Sequence, residues 1–93
     1  MARYIITYDL KNPSMSYNDF FETIKDIGDW QNPLENVWVV DTDMVSAGLI
    51  AQRLSPYFDK ATDRLFIAEV SPKNVQGWLG TKFWQWFNND SKR

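Results

Sequence analysis

The sequence predicts a small α+β fold built on a single sheet. Three runs, residues 3–8, 37–40 and 64–70, are rich in the β-branched and aromatic side chains that are typical of strands. Between them, apolar residues recur at three- and four-residue spacing, as on one face of a helix. The 93 residues, of which 44% are hydrophobic, are enough for one domain but too few for two.

The first strand, at residues 3–8, runs into Asp9 and is followed by a loop at 11–14, where Asn, Pro and Ser break regular structure. Ser16 is expected to cap the next helix, with Asp19 at the third helical position. The apolar stripe of this helix consists of Phe20, Phe21, Ile24 and Ile27.

Gly28 is expected to stop this helix, and residues 29–34 are expected to form a short edge strand, a position that tolerates proline. A clear strand at 37–40 is ended by two aspartates around Thr42, and Thr42 or Asp43 is expected to cap a second helix. The stripe of that helix is formed by Val45, Leu49, Ile50 and Leu54.

The second helix is expected to end at Pro56, and a polar connection at 59–63 leads to the strand at 64–70. Residues 75–88 then carry apolar side chains at helical spacing and predict a terminal helix, which Gly77 and Gly80 weaken.

The resulting order, β-α-β-β-α-β with an additional C-terminal helix, is that of a ferredoxin-like sandwich. This arrangement places the first strand beside the third at the centre of the sheet. We expect one domain at residues 1–90 and a polar tail at 91–93.

The composition excludes several kinds of chemistry. The chain has no Cys and no His, so disulfides, thiolate metal sites and histidine bases are excluded, and a metal would need oxygen ligands. The formal net charge is −2 and no Lys/Arg run exists, which argues against nucleic-acid binding. No signal peptide or spanning helix is recognised, so we expect a cytoplasmic protein without membrane contact.

Three segments resemble the Cas2-like group, which includes the small Cas2-related proteins of the SinR family. They are residues 4–10 (YIITYDL), 34–40 (LENVWVV) and 63–69 (DRLFIAE), and their order and spacing carry the resemblance. The chain departs from CRISPR-type Cas2 in its low basic content and in its aromatic C-terminal helix, which stands where those proteins have an extra strand. These departures favour the less characterised relatives.

The resemblance implies a homodimer in which Asp9 comes near its symmetry mate. Asp9 would then be the catalytic residue and the metal ligand, holding Mg²⁺ or Mn²⁺ for endonuclease cleavage of RNA or DNA phosphodiesters. The alternative is a non-enzymatic homodimeric binding or adaptor module that keeps the fold and binds a protein partner or a nucleotide.

Asp9 also has a structural interpretation, as a carboxylate that bonds loop amides after the first strand. The acids at 41–43 are not expected to join it, because the first and third strands run antiparallel and end at opposite edges of the sheet.

Aromatic residues near the C terminus predict an interface. Positions 83, 84, 86 and 87 span most of a helix circumference, so packing on the domain cannot cover every ring. Only Lys82 supplies positive charge nearby, which favours a protein contact over stacking on a nucleic-acid base. The interface candidates are Trp78, Phe83, Trp84, Trp86 and Phe87.

Overall fold

The computed structural model describes residues 2–44 and 46–89, and within them it shows four strands, three α-helices and one 3-10 turn. In chain order these are β1 (Ala2–Asp9), α1 (Asn18–Ile27), β2 (Asp29–Leu34), β3 (Val37–Thr42), α2 (Ala47–Leu54), the turn (Ser55–Tyr57), β4 (Arg64–Val70) and α3 (Thr81–Phe87). None of the described helices is long and apolar enough to span a membrane. Val45 of the predicted second stripe and the predicted tail at 91–93 lie outside the described residues.

The strands form one antiparallel sheet in the order β2-β3-β1-β4. The predicted α+β class is therefore confirmed, as are the edge position of β2 and the position of β1 inside the sheet beside β3. Ile5 of β1 lies opposite Val39 of β3 and Ala68 of β4, so these three side chains share one sheet face.

Helices α1 and α2 cover the other face of the sheet and form the main core with it. The alternation of β1 directs Tyr4 and Ile6 toward these helices, where both are buried. The predicted α1 stripe is confirmed, with Phe21 at its margin. Each such buried side chain contributes roughly 1.5–3 kcal/mol. The buried members are Tyr4, Ile6, Phe20, Ile24, Ile27, Trp38, Val40, Ile50 and Leu54.

The face that carries Ile5 is only partly covered. Helix α3 lies over one end of it, where Phe83, Trp86 and Phe87 pack against Val39 in a second buried cluster. Toward the Asp9 end of β1 the same face is accessible to solvent. As a result, no described helix covers the part of this face next to Asp9.

The predicted cap of the first helix is wrong. Helix α1 begins after Tyr17 rather than at Ser16, and no side chain caps it. Tyr17 is instead held by a long-range contact, because its hydroxyl donates to Asp63 Oδ1 at 2.9 Å. The predicted capping box is therefore not formed, and Asp19 is at the second helical position.

The predicted caps of the second helix, Thr42 and Asp43, are also wrong. Ser46 is the N-cap, and its hydroxyl accepts a hydrogen bond from the Leu49 N–H at 3.1 Å. Thr42 belongs to β3 and donates its hydroxyl to the Ile27 carbonyl at 2.9 Å, which ties the end of α1 to the sheet.

The terminal helix is shorter than the predicted span of 75–88. Helix α3 begins only at Thr81, after Gly80, and residues 75–80 lie outside it. Glycine is among the poorest helix formers, so Gly77 and Gly80 keep this segment non-helical despite its apolar spacing. As a result Trp78, predicted on the helix, is 94% exposed on the connecting segment.

Candidate functional site

Asp9 lies at the exposed end of β1, where the first candidate site was expected. Its carboxylate forms an ion pair with Lys11 Nζ at 3.2 Å, and Arg64 lies opposite Asp9 on the adjacent strand β4. The alternation of β1 places Asp9 on the same sheet face as Ile5 and Thr7. The site is therefore an accessible carboxylate flanked by two cations.

Among the described residues, one chain offers a single carboxylate to a metal at this position. Mg²⁺ and Mn²⁺ favour about six oxygen ligands, whereas Asp9 is one carboxylate with the Lys11 ammonium beside it. Across residues 2–44 and 46–89, no group of three or more acidic side chains is close enough to hold a metal. A metal at Asp9 would need further oxygen ligands, from water, from a substrate or from a second copy.

The loop that follows Asp9 is held by a buried carboxylate, Asp63. The Lys11 N–H donates to Asp63 Oδ1 at 2.7 Å, and the Asp59 N–H donates to Oδ2 at 2.8 Å. The Tyr17 hydroxyl lies 2.9 Å from each oxygen. Asp63 thereby joins the loop after β1 to the loop before β4.

These contacts set the ionisation of the carboxylate. Burial raises the pKa of Asp63, but the N–H groups of Lys11 and Asp59 and the Tyr17 hydroxyl outweigh burial and hold the pKa below its usual value. The ionised form is therefore the one that the fold stabilises.

Asp59 reinforces the same junction from the other side. Its Oδ2 accepts from the Asn12 amide at 2.8 Å and its Oδ1 accepts from the Ala61 N–H at 2.9 Å. The Ala61 N–H is the main cause of a lowered pKa of Asp59, and the Asn12 amide adds to it.

Sequence reasoning treated residues 59–63 only as a polar connection. The Asx turn at Asp59 is a local signal that can be read from a sequence. The role of Asp63 has no such signal, because its partner Lys11 is 52 positions away in the chain.

The second acidic position, Asp41, is separated from Asp9 as expected. Asp41 lies opposite Arg3, at the other end of β1. Arg3 Nε is 3.9 Å from Asp41 Oδ2, and the guanidinium lies 4.8 Å from the ring centroid of Phe87 in α3. Desolvation offsets most of the attraction within a buried ion pair, so we assign the orientation of α3 on the sheet to the contact between Arg3 and Phe87.

Beyond α3 the sheet presents an apolar surface, which we call the open sheet face. Phe66 is 64% exposed and Leu34 is 52% exposed, although both are large apolar side chains on a sheet. The face is formed by Ile5, Thr7, Leu34, Val37, Phe66 and Ala68. Sequence reasoning missed it, because β-rich runs do not reveal which face remains uncovered.

A groove of about 180 Å³ separates the open sheet face from α3. Its floor includes Ile5 and Val39, one wall includes Leu34 and Val37, and Gln76 is the only polar side chain among its described lining residues. The other wall consists of Val75, Leu79, Phe83, Trp84 and Phe87.

The five predicted interface residues fall into two groups. Phe83, Trp86 and Phe87 are buried against their own sheet, so the chain itself covers them. Trp84 is half-buried at the groove, and Trp78 is almost fully exposed beside it. The accessible aromatic surface is therefore at Trp78 and Trp84, next to the open sheet face.

Comparison with protein-family models, with curated proteins and with solved structures gives no match.

Proposed function

We propose that this chain is a homodimeric association module whose two copies meet through the open sheet face. The observation that carries the proposal is the exposure of Phe66 and Leu34 on the sheet face opposite the one that packs against α1 and α2. A contiguous apolar patch of this kind on a small domain marks an interaction surface. We propose a protein contact rather than nucleic acid, since the chain is acidic.

The proposed relationship is to the Cas2-like, ferredoxin-like proteins. It is supported by the element order β-α-β-β-α-β and by the strand order β2-β3-β1-β4, which places β1 and β3 together at the centre. The three segments of similar sequence correspond to β1, β3 and β4 with their flanking residues.

Phe66→Gln is expected to weaken self-association by at least about tenfold in Kd, because large aromatic residues supply much of the binding energy of an interface. Sedimentation equilibrium over a wide concentration range measures this, with circular dichroism to show that the fold is kept. Leu49→Gln is the matched control, since Leu49 is also an exposed apolar residue but lies on α2, in the other layer.

A parent protein that stays monomeric at all concentrations would contradict the homodimer. A dimer that Phe66→Gln leaves unchanged, or that Leu49→Gln weakens equally, would place the interface elsewhere than on the open sheet face.

A divalent-metal-dependent endonuclease is the second candidate, and the position of Asp9 favours it. Asp9 is exposed on the same sheet face as Phe66, so a two-fold axis through that face can bring two copies of Asp9 together. Lys11 and Arg64 beside it carry the positive charge that a phosphodiester would contact. Bound Mg²⁺ or Mn²⁺ would supply Lewis-acid stabilisation of the phosphate.

Asp9→Asn is expected to abolish Mg²⁺- or Mn²⁺-dependent cleavage of RNA or DNA and to leave folding unchanged, since Asp9 is exposed in the chain. A gel assay with single- and double-stranded substrates measures cleavage, and isothermal titration with Mn²⁺ measures metal binding directly. Asp19→Asn, at an exposed acid on α1, is the control. Cleavage that survives Asp9→Asn, or a parent protein without cleavage, would reject the nuclease.

A further inference from the structure

We infer that Trp78 of each copy inserts into the apolar groove of the other copy in the dimer. This inference rests on the proposed homodimer and names the contact that would hold it. Two neighbouring features of one chain support the inference. One is an exposed aromatic side chain, and the other is an apolar groove that the chain's own described side chains do not fill.

Trp78 is the more unusual of the two features. It is 94% exposed, although tryptophan is among the largest apolar side chains. Its chain neighbours Val75, Gln76 and Leu79 line the groove, so Trp78 lies on the segment that borders the groove. Tryptophan is also the residue most enriched among those that dominate interface energies.

The groove has the chemistry and the size for an aromatic ring. It is about 180 Å³ and its described lining is apolar except for Gln76. An apolar protein cavity of about 150 Å³ is large enough to bind benzene, and an open groove also admits the fused ring of an indole.

The charges on the two walls favour a second copy of this chain as the occupant. Lys73 and Lys82 are exposed next to the wall that carries Val75 and Phe83, whereas Glu35 is exposed next to Leu34 on the opposite wall. A two-fold axis that runs along the groove turns the basic wall of one copy toward the acidic wall of the other. The surface is therefore complementary to itself, as an interface between identical subunits must be.

The exposed aromatic area is also large enough to form a substantial part of a dimer interface. Trp78 and Phe66 are 94% and 64% exposed, so the two present on the order of 350 Å² to solvent. This is approaching half of the roughly 800 Å² that each partner contributes to a standard interface. Leu34, Val75 and the groove walls extend the same surface.

Trp78→Ala is expected to weaken the dimer by about 30-fold in Kd, since a dominant interface residue contributes 2 kcal/mol or more. Because Trp78 is exposed, its replacement leaves the folded monomer unchanged. Trp78→Phe, which keeps an aromatic ring, is the matched control and is expected to retain more of the affinity. Sedimentation equilibrium measures the dissociation constants.

A groove-filling variant, Val37→Phe, tests whether the Trp78 indole binds in the groove. It blocks the groove but keeps Trp78, and Leu34→Trp is a second filler if Val37→Phe lowers the melting temperature. Each filler is expected to weaken its own homodimer. An equimolar mixture with Trp78→Ala is expected to form a heterodimer, because the filled copy supplies a tryptophan and the Trp78→Ala copy supplies an open groove.

The outcomes separate this inference from the proposed homodimer. A parent protein that is monomeric would reject both. A parent dimer that Trp78→Ala leaves intact would reject only the insertion of Trp78. Loss of the dimer in both variants without heterodimer formation in the mixture would show that Trp78 binds elsewhere, and would also overturn the inference.

Discussion

Replacing Gly28 with alanine is expected to lower the free energy of unfolding by about 3 kcal/mol or more. A Cβ at this position would overlap the main-chain carbonyl oxygen of Asp41 and would lie 3.2 Å from the Cα of Thr42. Both obstacles are backbone of β3. The same segment is tied to α1 by the Thr42–Ile27 hydrogen bond, which restricts its movement away from Gly28.

Thermal unfolding measures this effect. A loss of this size lowers the melting temperature of a domain of this length by roughly 12 °C or more. Gly48→Ala is the matched control, because Gly48 lies in α2 with Ser46 Oγ as its nearest contact at 3.7 Å. We expect Gly48→Ala to stabilise by about 0.5 kcal/mol, since alanine favours a helix over glycine. A Gly28→Ala protein as stable as the parent would contradict the close approach at β3.

Asp63→Asn is expected to destabilise the protein by about 2–3 kcal/mol, because a buried acceptor of several hydrogen bonds becomes in part a donor. The amide cannot accept from Lys11, Asp59 and Tyr17 together as the carboxylate does. Urea unfolding at neutral pH measures the change. Asp43→Asn, at an exposed acid, is the control and is expected to stay within about 0.5 kcal/mol of the parent.

The same carboxylate makes stability depend on pH. The folded pKa of Asp63 is lower than the unfolded value, so its contribution is complete above about pH 4 and is lost as the pH falls through the folded pKa. Asp59 shifts in the same direction and adds to the slope. Urea unfolding of the parent from neutral pH to below pH 4 should show this acid loss, and Asp63→Asn should reduce it. Equal slopes in parent and variant would contradict the role of Asp63.

The candidate site was only partly predictable, and the reason differs between its parts. Asp9 was identified from its position at the end of a strand and from a resemblance, and the structure places it there. The open sheet face was not identified. Its exposure depends on where α3 begins, and Gly80 delays that start to Thr81. Burial of Phe83, Trp86 and Phe87 depends on the same helix position.

Local pattern in the chain was sufficient for the secondary structure class, for the α1 stripe and for the strands. Periodicity of apolar residues is a property of neighbouring positions, so it can be read without a fold. The α+β class and the inner position of β1 follow from the order of those elements.

Long-range contacts were needed for the features that carry the strongest predictions. Gly28 was interpreted as a helix stop, and α1 does end there with Gly28 as its C-cap, but the close approach of Asp41 from β3 was not predicted. Asp63 was interpreted as part of a polar loop, but its partners Tyr17 and Lys11 lie 46 and 52 positions away. Both roles arise only when distant segments meet, because steric contact and hydrogen bonding depend on separation in space rather than along the chain.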